Sequence, residues 1–167
     1  MKIQTLKKVL QTLTSAALIL IAPTLATAGE KNQDSDLKGM ITIPSSLSFS
    51  ETSAKLQKVL EEKGMTLFTV VDHAKGAASV GIDLTPTSLF IFGNPKAGSP
   101  LMQCSISVAL DLPQKILITE SKQGIVSITY NDPHYLAERH TLTGCENNIE
   151  KISAALNGIA NAVAINQ

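Results

Sequence analysis

Residues 115–130 restrict the architecture of this chain more tightly than any other stretch. Two short runs rich in β-branched residues, 115–120 (KILITE) and 125–130 (IVSITY), flank Ser121-Lys122-Gln123-Gly124. A short polar link with a glycine free to take positive φ reverses the chain, so the two runs are predicted to form a β-hairpin and pair antiparallel. Residues 40–43 read as a strand ended by Pro44, and the short stretch 47–49 leads to Ser50 as a helix N-cap. The predicted helix at 51–63 buries Leu56, Val59 and Leu60 at helical spacing, and Gly64 stops it. Residues 65–72 (MTLFTVVD) and 87–92 (TSLFIF) are apolar on both faces, which predicts central strands, with small residues at 74–86 forming an irregular link. Asp132 and Pro133 supply the N-cap and first residue of a short helix to about Arg139. The last helix, 146–165, aligns Ile149, Ile152, Leu156, Ile159 and Val163 on one face. The order β-α-β-β-(α)-β-β-(α)-α has more hairpins than crossovers, so the expected class is α+β: an antiparallel sheet with helices packed on one face.

The first 28 residues have another character. Lys2, Lys7 and Lys8 precede an apolar stretch at 13–22; Pro23 then breaks any helix, and Ala26-Thr27-Ala28 offers small residues for signal peptidase. This is the pattern of a secretory signal whose apolar part is too short to span a bilayer, so cleavage is expected after Ala28. Polar residues 29–38 (GEKNQDSDLK) read as a flexible leader, and 39–167 as one domain with no linker or repeat. No integral membrane segment is expected after cleavage, and the destination is the periplasm or the exterior. Removing three lysines and no acid turns the chain's 14 basic and 14 acidic side chains into a net charge of −3. With no Trp, two Tyr and four Phe as stacking platforms, that charge argues against nucleic acid or an anionic membrane as partner.

Few residues form a chemical constellation. Neither a Gly-x-Ser-x-Gly elbow nor a His-Glu-x-x-His helix is present. His134 and His140, six positions apart, miss the spacing of a helical metal pair. No catalytic residue, metal site or cofactor is therefore predicted. Asp132 is assigned to capping, and Asp111, ahead of Leu112-Pro113, to a turn cap. Gly93-Asn94-Pro95 follows a strand and opens a helix, and beside Lys96 it has two readings: a capped turn, or backbone amides facing an anion. His73 is either a surface or capping residue, or a ring facing a cleft. Should strands 87–92 and 125–130 end on one sheet edge, Asn94 and Asp132 would share a cleft with His73. The candidate ligand-binding residues are thus His73, Asn94, Lys96 and Asp132, and a small polar or anionic ligand is expected nearer Asn94 than Asp132. Cys104 and Cys145 read as a structural disulfide in an oxidising compartment, or as reactive thiols, since Cys145 begins a helix.

Several ordered blocks carry a family resemblance. They run from Glu62-Lys63-Gly64-Met65 and Val71-Asp72-His73-Ala74 to Thr85-Pro86-Thr87-Ser88-Leu89 and Phe92-Gly93-Asn94-Pro95. Leu101-Met102 then precedes Ala109-Leu110-Asp111-Leu112-Pro113, and Tyr130-Asn131-Asp132-Pro133 precedes Tyr135-Leu136-Ala137. Together, over 49–139, they resemble the bacterial domain-of-unknown-function family 302. The resemblance implies a TATA-box-binding-protein-like α+β fold, usually dimeric, with no DNA contact implied and no established activity. A homodimer is also expected because strands apolar on both faces need cover on two sides. Cys104 stands where family members often carry Ala or another small residue, so any cysteine chemistry would belong to this branch. The functional expectation is an exported, non-enzymatic binding or interaction protein. The alternative is a periplasmic redox or metal-handling protein using Cys104, Cys145 and a histidine.

Overall fold

The structure, a computed structural model, describes residues 38–165. The predicted signal peptide, and the predicted leader except Lys38, lie outside the described residues. The elements in chain order are β1 (Met40–Ser45), α1 (Phe49–Glu62), β2 (Thr66–Asp72), α2 (His73–Ala78), β3 (Thr87–Gly93) and α3 (Pro95–Cys104). A 3₁₀ turn (Ile106–Leu110), β4 (Gln114–Glu120), β5 (Val126–Asn131), α4 (Pro133–His140) and α5 (Glu146–Ala164) follow. The five strands form one sheet in the order β1-β5-β4-β3-β2, and every neighbouring pair is antiparallel. The hairpin of β4 and β5 stands as predicted, with Ile118 opposite Ile128 and Gly124 at φ +78° in its turn.

Alternation along the inner strands sets the core. Phe90 and Phe92 of β3, Ile116 and Ile118 of β4, and Val126, Ile128 and Tyr130 of β5 are buried on one sheet face. They pack against Leu56 and Leu60 of α1 and Ile149, Leu156, Ile159 and Val163 of α5 in a single cluster. The alternate residues Leu89, Ile91, Leu117 and Thr129 are only half-buried and lie outside that cluster. Cross-strand pairs such as Thr42 Oγ1 to Thr129 Oγ1, 3.0 Å apart, make this second face partly polar.

Several expectations need correction. Residues 65–72 do not form a central strand, for β2 is the sheet edge, with Phe68 53% exposed at a register shift between Leu67 and Thr69. Apolar content fits a central strand, but a bulged edge tolerates it too. Residues 74–86 are not wholly irregular, because Asp72 caps Lys75 N at 2.8 Å and so opens α2. β1 runs through Pro44 to Ser45; as the other edge strand it can accommodate a residue without an N–H. The cap of α1 is Ser48, not Ser50. Ser48 Oγ accepts from Glu51 N while the Glu51 carboxylate accepts from Ser48 N, and this reciprocal pair starts the helix at Phe49.

Candidate functional site

β3 ends at Gly93, and the turn that follows is fixed by its own side chains. Asn94 Oδ1 accepts from Lys96 N at 3.0 Å and Pro95 takes the first helical position, so α3 leaves the sheet at a defined angle. Between α3, the sheet and α5 lies a cleft of about 340 Å³. Phe68 and Phe92 form its floor, Ala97, Gly98 and Met102 of α3 one wall, and Ile152, Ala155 and Ile159 of α5 the opposite wall. Leu112 and Pro113 close one side. Lys115 Nζ donates to the carbonyl oxygens of Asp111 and Pro113 at 2.7 and 2.9 Å, which fastens this loop. Burial holds the Lys115 pKa below the usual lysine value, against the opposing attraction of Asp111.

Polar groups occur at the cleft's margin. Asn94, Ser99, Gln114 and Lys151 line it, and an adjoining shallower recess shares Asn94 and Lys151 and adds Lys96 and Asn148. Neither lining contains a carboxylate. An apolar chamber lined by Lys151, with Lys96 in the adjoining recess, suits a small molecule with an apolar body and an anionic head.

Of the four predicted ligand-binding residues, Asn94 lines this cleft and Lys96 only the adjoining recess. Asp132 does not line it. β3 and β5 both run antiparallel to β4, so Asn94 and Asp132 do stand on the same sheet edge, as expected. With β4 between them, the strands that carry them are roughly 10 Å apart, and the Asp132 carboxylate accepts from His134 N at 2.9 Å as the cap of α4. His73 is at the other end of the sheet. Thr66 pairs with Gly93 and Asp72 with Ser88, so the chain leaves β2 far from Asn94. The expected convergence of His73 with Asn94 is therefore corrected by the antiparallel direction of β2.

Cys104 ends α3 and Cys145 caps α5; their α-carbons are 6.4 Å apart, at disulfide distance. The pair joins the helices that form opposite walls of the cleft.

A second cluster lies where the 3₁₀ turn meets α4. His140 Nε2 is 2.6 Å from Asp111 Oδ2, and His140 Nδ1 is 2.9 Å from Ser107 Oγ. Arg139 Nη1 approaches Asp111 Oδ2 at 3.2 Å, and Ser105 Oγ lies 3.1 Å from Ser107 Oγ. The His140 side chain is 6% exposed, whereas Ser107 is open to solvent. Asp111 is thus the partner of a buried histidine and not a turn cap. No local spacing announces this cluster, because its histidine comes from an element 29 residues beyond the aspartate.

The sequence profile of the domain of unknown function DUF302 matches residues 41–159. The fluoride-specific ion channel FluC 1 of Brucella suis biovar 1 is 44% identical over 104 residues, covering 62% of this chain and 41% of that protein. FluC 1 of Brucella abortus biovar 1 matches at the same identity, with 38% of its length covered. The chain thus spans about two fifths of the curated relatives it matches. The crystal structure of an uncharacterized conserved DUF302 protein from Bacillus stearothermophilus superposes with a TM-score of 0.70 at 18% identity, covering 76% of this chain and 99% of that one. That likeness establishes the fold.

Proposed function

The chain belongs to the DUF302 family, and from that premise we propose that it is an exported binding module, cleaved after Ala28, which holds a small amphiphilic anion. The observation that carries this reading is the cleft between α3 and α5, apolar within, lined by Lys151 and adjoining a recess that adds Lys96, without an acid in either lining. The apolar body would displace water from Phe92, Met102 and Ile152, and the head group would meet the lysines. The module would act as a homodimer, a reading supported by the half-buried Leu89, Ile91 and Leu117 on the sheet face away from α1 and α5. The redox or metal-handling alternative needs thiolates, and it is weakened by a cysteine pair at disulfide distance. The matched Brucella proteins are named as fluoride channels. The match covers a minor part of each, and no helix among the described residues is long and apolar enough to cross a membrane.

The test uses 8-anilinonaphthalene-1-sulfonate, which has an apolar ring system and one anionic group. Saturable fluorescence enhancement is expected with the native protein. Ala155→Phe should fill the cleft and abolish it without lowering the melting temperature, while Lys151→Ala should weaken binding about tenfold, the effect of roughly 1.4 kcal/mol. Unchanged binding by the Ala155→Phe variant would overturn the reading.

A further inference from the structure

The Ser107, His140 and Asp111 cluster is separate from the cleft, for none of the three lines it. An ionised carboxylate can only accept hydrogen bonds, so in the neutral ring the proton facing Asp111 at 2.6 Å sits on His140 Nε2. Nδ1 is then left with a lone pair, and Ser107, 2.9 Å away, must donate to it. The outcome is an exposed hydroxyl whose hydrogen bond leads to a buried base, itself oriented by a carboxylate. This is the arrangement that activates a serine nucleophile, with the ring turned so that Nδ1 and not Nε2 faces the hydroxyl.

A second observation concerns the surroundings of Ser107. Ile106 and Leu110, on the same 3₁₀ turn, are 76% and 74% exposed. Residues three apart eclipse in a 3₁₀ turn, so Leu110 flanks Ser107 on its own side. Leu110, held in water beside the polarised hydroxyl, suits the acyl portion of a substrate, and the exposed Ile106 extends the apolar surface of the same turn.

We propose that Ser107 and His140 form a catalytic pair for hydrolysis of small carboxylic esters with an apolar acyl chain, with Asp111 as the positioning residue. Ser107 Oγ attacks the carbonyl carbon as its proton passes to His140 Nδ1. The ester C–O bond breaks, and the departing alkoxide takes that proton and leaves as the alcohol. Water then attacks the acyl-serine, giving a proton to Nδ1. That proton returns to Ser107 Oγ as the acid departs.

The test pairs 4-nitrophenyl butyrate hydrolysis with labelling by diisopropyl fluorophosphate, the adduct being located by peptide mass. Labelling at Ser107 and turnover of the ester are expected in the native protein. Ser107→Ala should lose both and still fold, because the side chain is exposed. His140→Gln should slow hydrolysis about a hundredfold, within the range for loss of a general base. Asp111→Asn should shift the pH profile, which a purely structural role would leave in place. An unlabelled Ser107, or equal hydrolysis by native protein and Ser107→Ala, would overturn the proposal.

Discussion

At the scale of single residues, the start of α1 shows how closely spaced serines are told apart. Ser48 and Ser50 both precede the apolar stripe, and both are acceptable N-cap residues by type. Only Ser48 has a glutamate three positions on, and Glu51 completes the reciprocal cap. Ser48→Ala is therefore expected to cost about 1 kcal/mol in denaturant unfolding, and Ser50→Ala to remain within about 0.5 kcal/mol. Hydrogen bonds from the Ser48 side chain and then its backbone hold the Glu51 pKa below the usual glutamate value. A lowered folded pKa contributes stability above the unfolded value, and that contribution disappears as pH falls through the folded one. The difference in stability between native protein and Glu51→Gln should accordingly narrow over that acidic window, as urea unfolding across a pH series would reveal.

Among the elements, α3 and α5 depend on a cross-link that neither helix predicts alone. Cys104 and Cys145 are 41 residues apart, and closing a loop of that length restricts the unfolded chain by about 4 kcal/mol in the chain-entropy model. Replacing both cysteines with serine should lower unfolding stability by up to that amount, and native protein should titrate no free thiol until denatured and reduced. Because the bond joins two walls of the cleft, the same variant should also bind the sulfonate probe less tightly. β2 illustrates the opposite case, a strand whose composition misplaces it. MTLFTVVD is as apolar as TSLFIF, yet β3 has neighbours on both sides and β2 on one. Strand order depends on which edges meet, and hydropathy along one segment does not encode it.

For the whole molecule, the two faces of the sheet differ in cover. One carries α1 and α5 over Phe90, Ile116 and Ile128, while Leu89, Ile91 and Leu117 on the other remain half-buried in the single chain. Association of two copies through this face would remove apolar surface from water at about 25 cal/mol per Å² before association costs. Sedimentation of residues 29–167 should give twice the mass of one chain at micromolar concentration, and Leu117→Lys should shift it to the monomer with its far-ultraviolet dichroism preserved. A native protein sedimenting as a single chain would remove the dimer reading.

The amino-acid sequence by itself determined the elements whose cause is local. The β4–β5 hairpin follows from two β-branched runs around a glycine-bearing turn, α4 from Asp132-Pro133, and α5 from apolar residues at helical spacing. The Asn94-Pro95 cap of α3 was also legible, since a strand-to-helix turn marks itself by residue type. Only the tertiary structure decided the rest. It set β2 at the edge and sent His73 to the far end of the sheet, because strand direction depends on pairing partners. It formed the cleft from α3 and α5, elements more than 40 residues apart. It also gave Asp111 a histidine partner in place of a turn, since a hydrogen bond needs atoms within about 3 Å, and separation along the chain says nothing of separation in space.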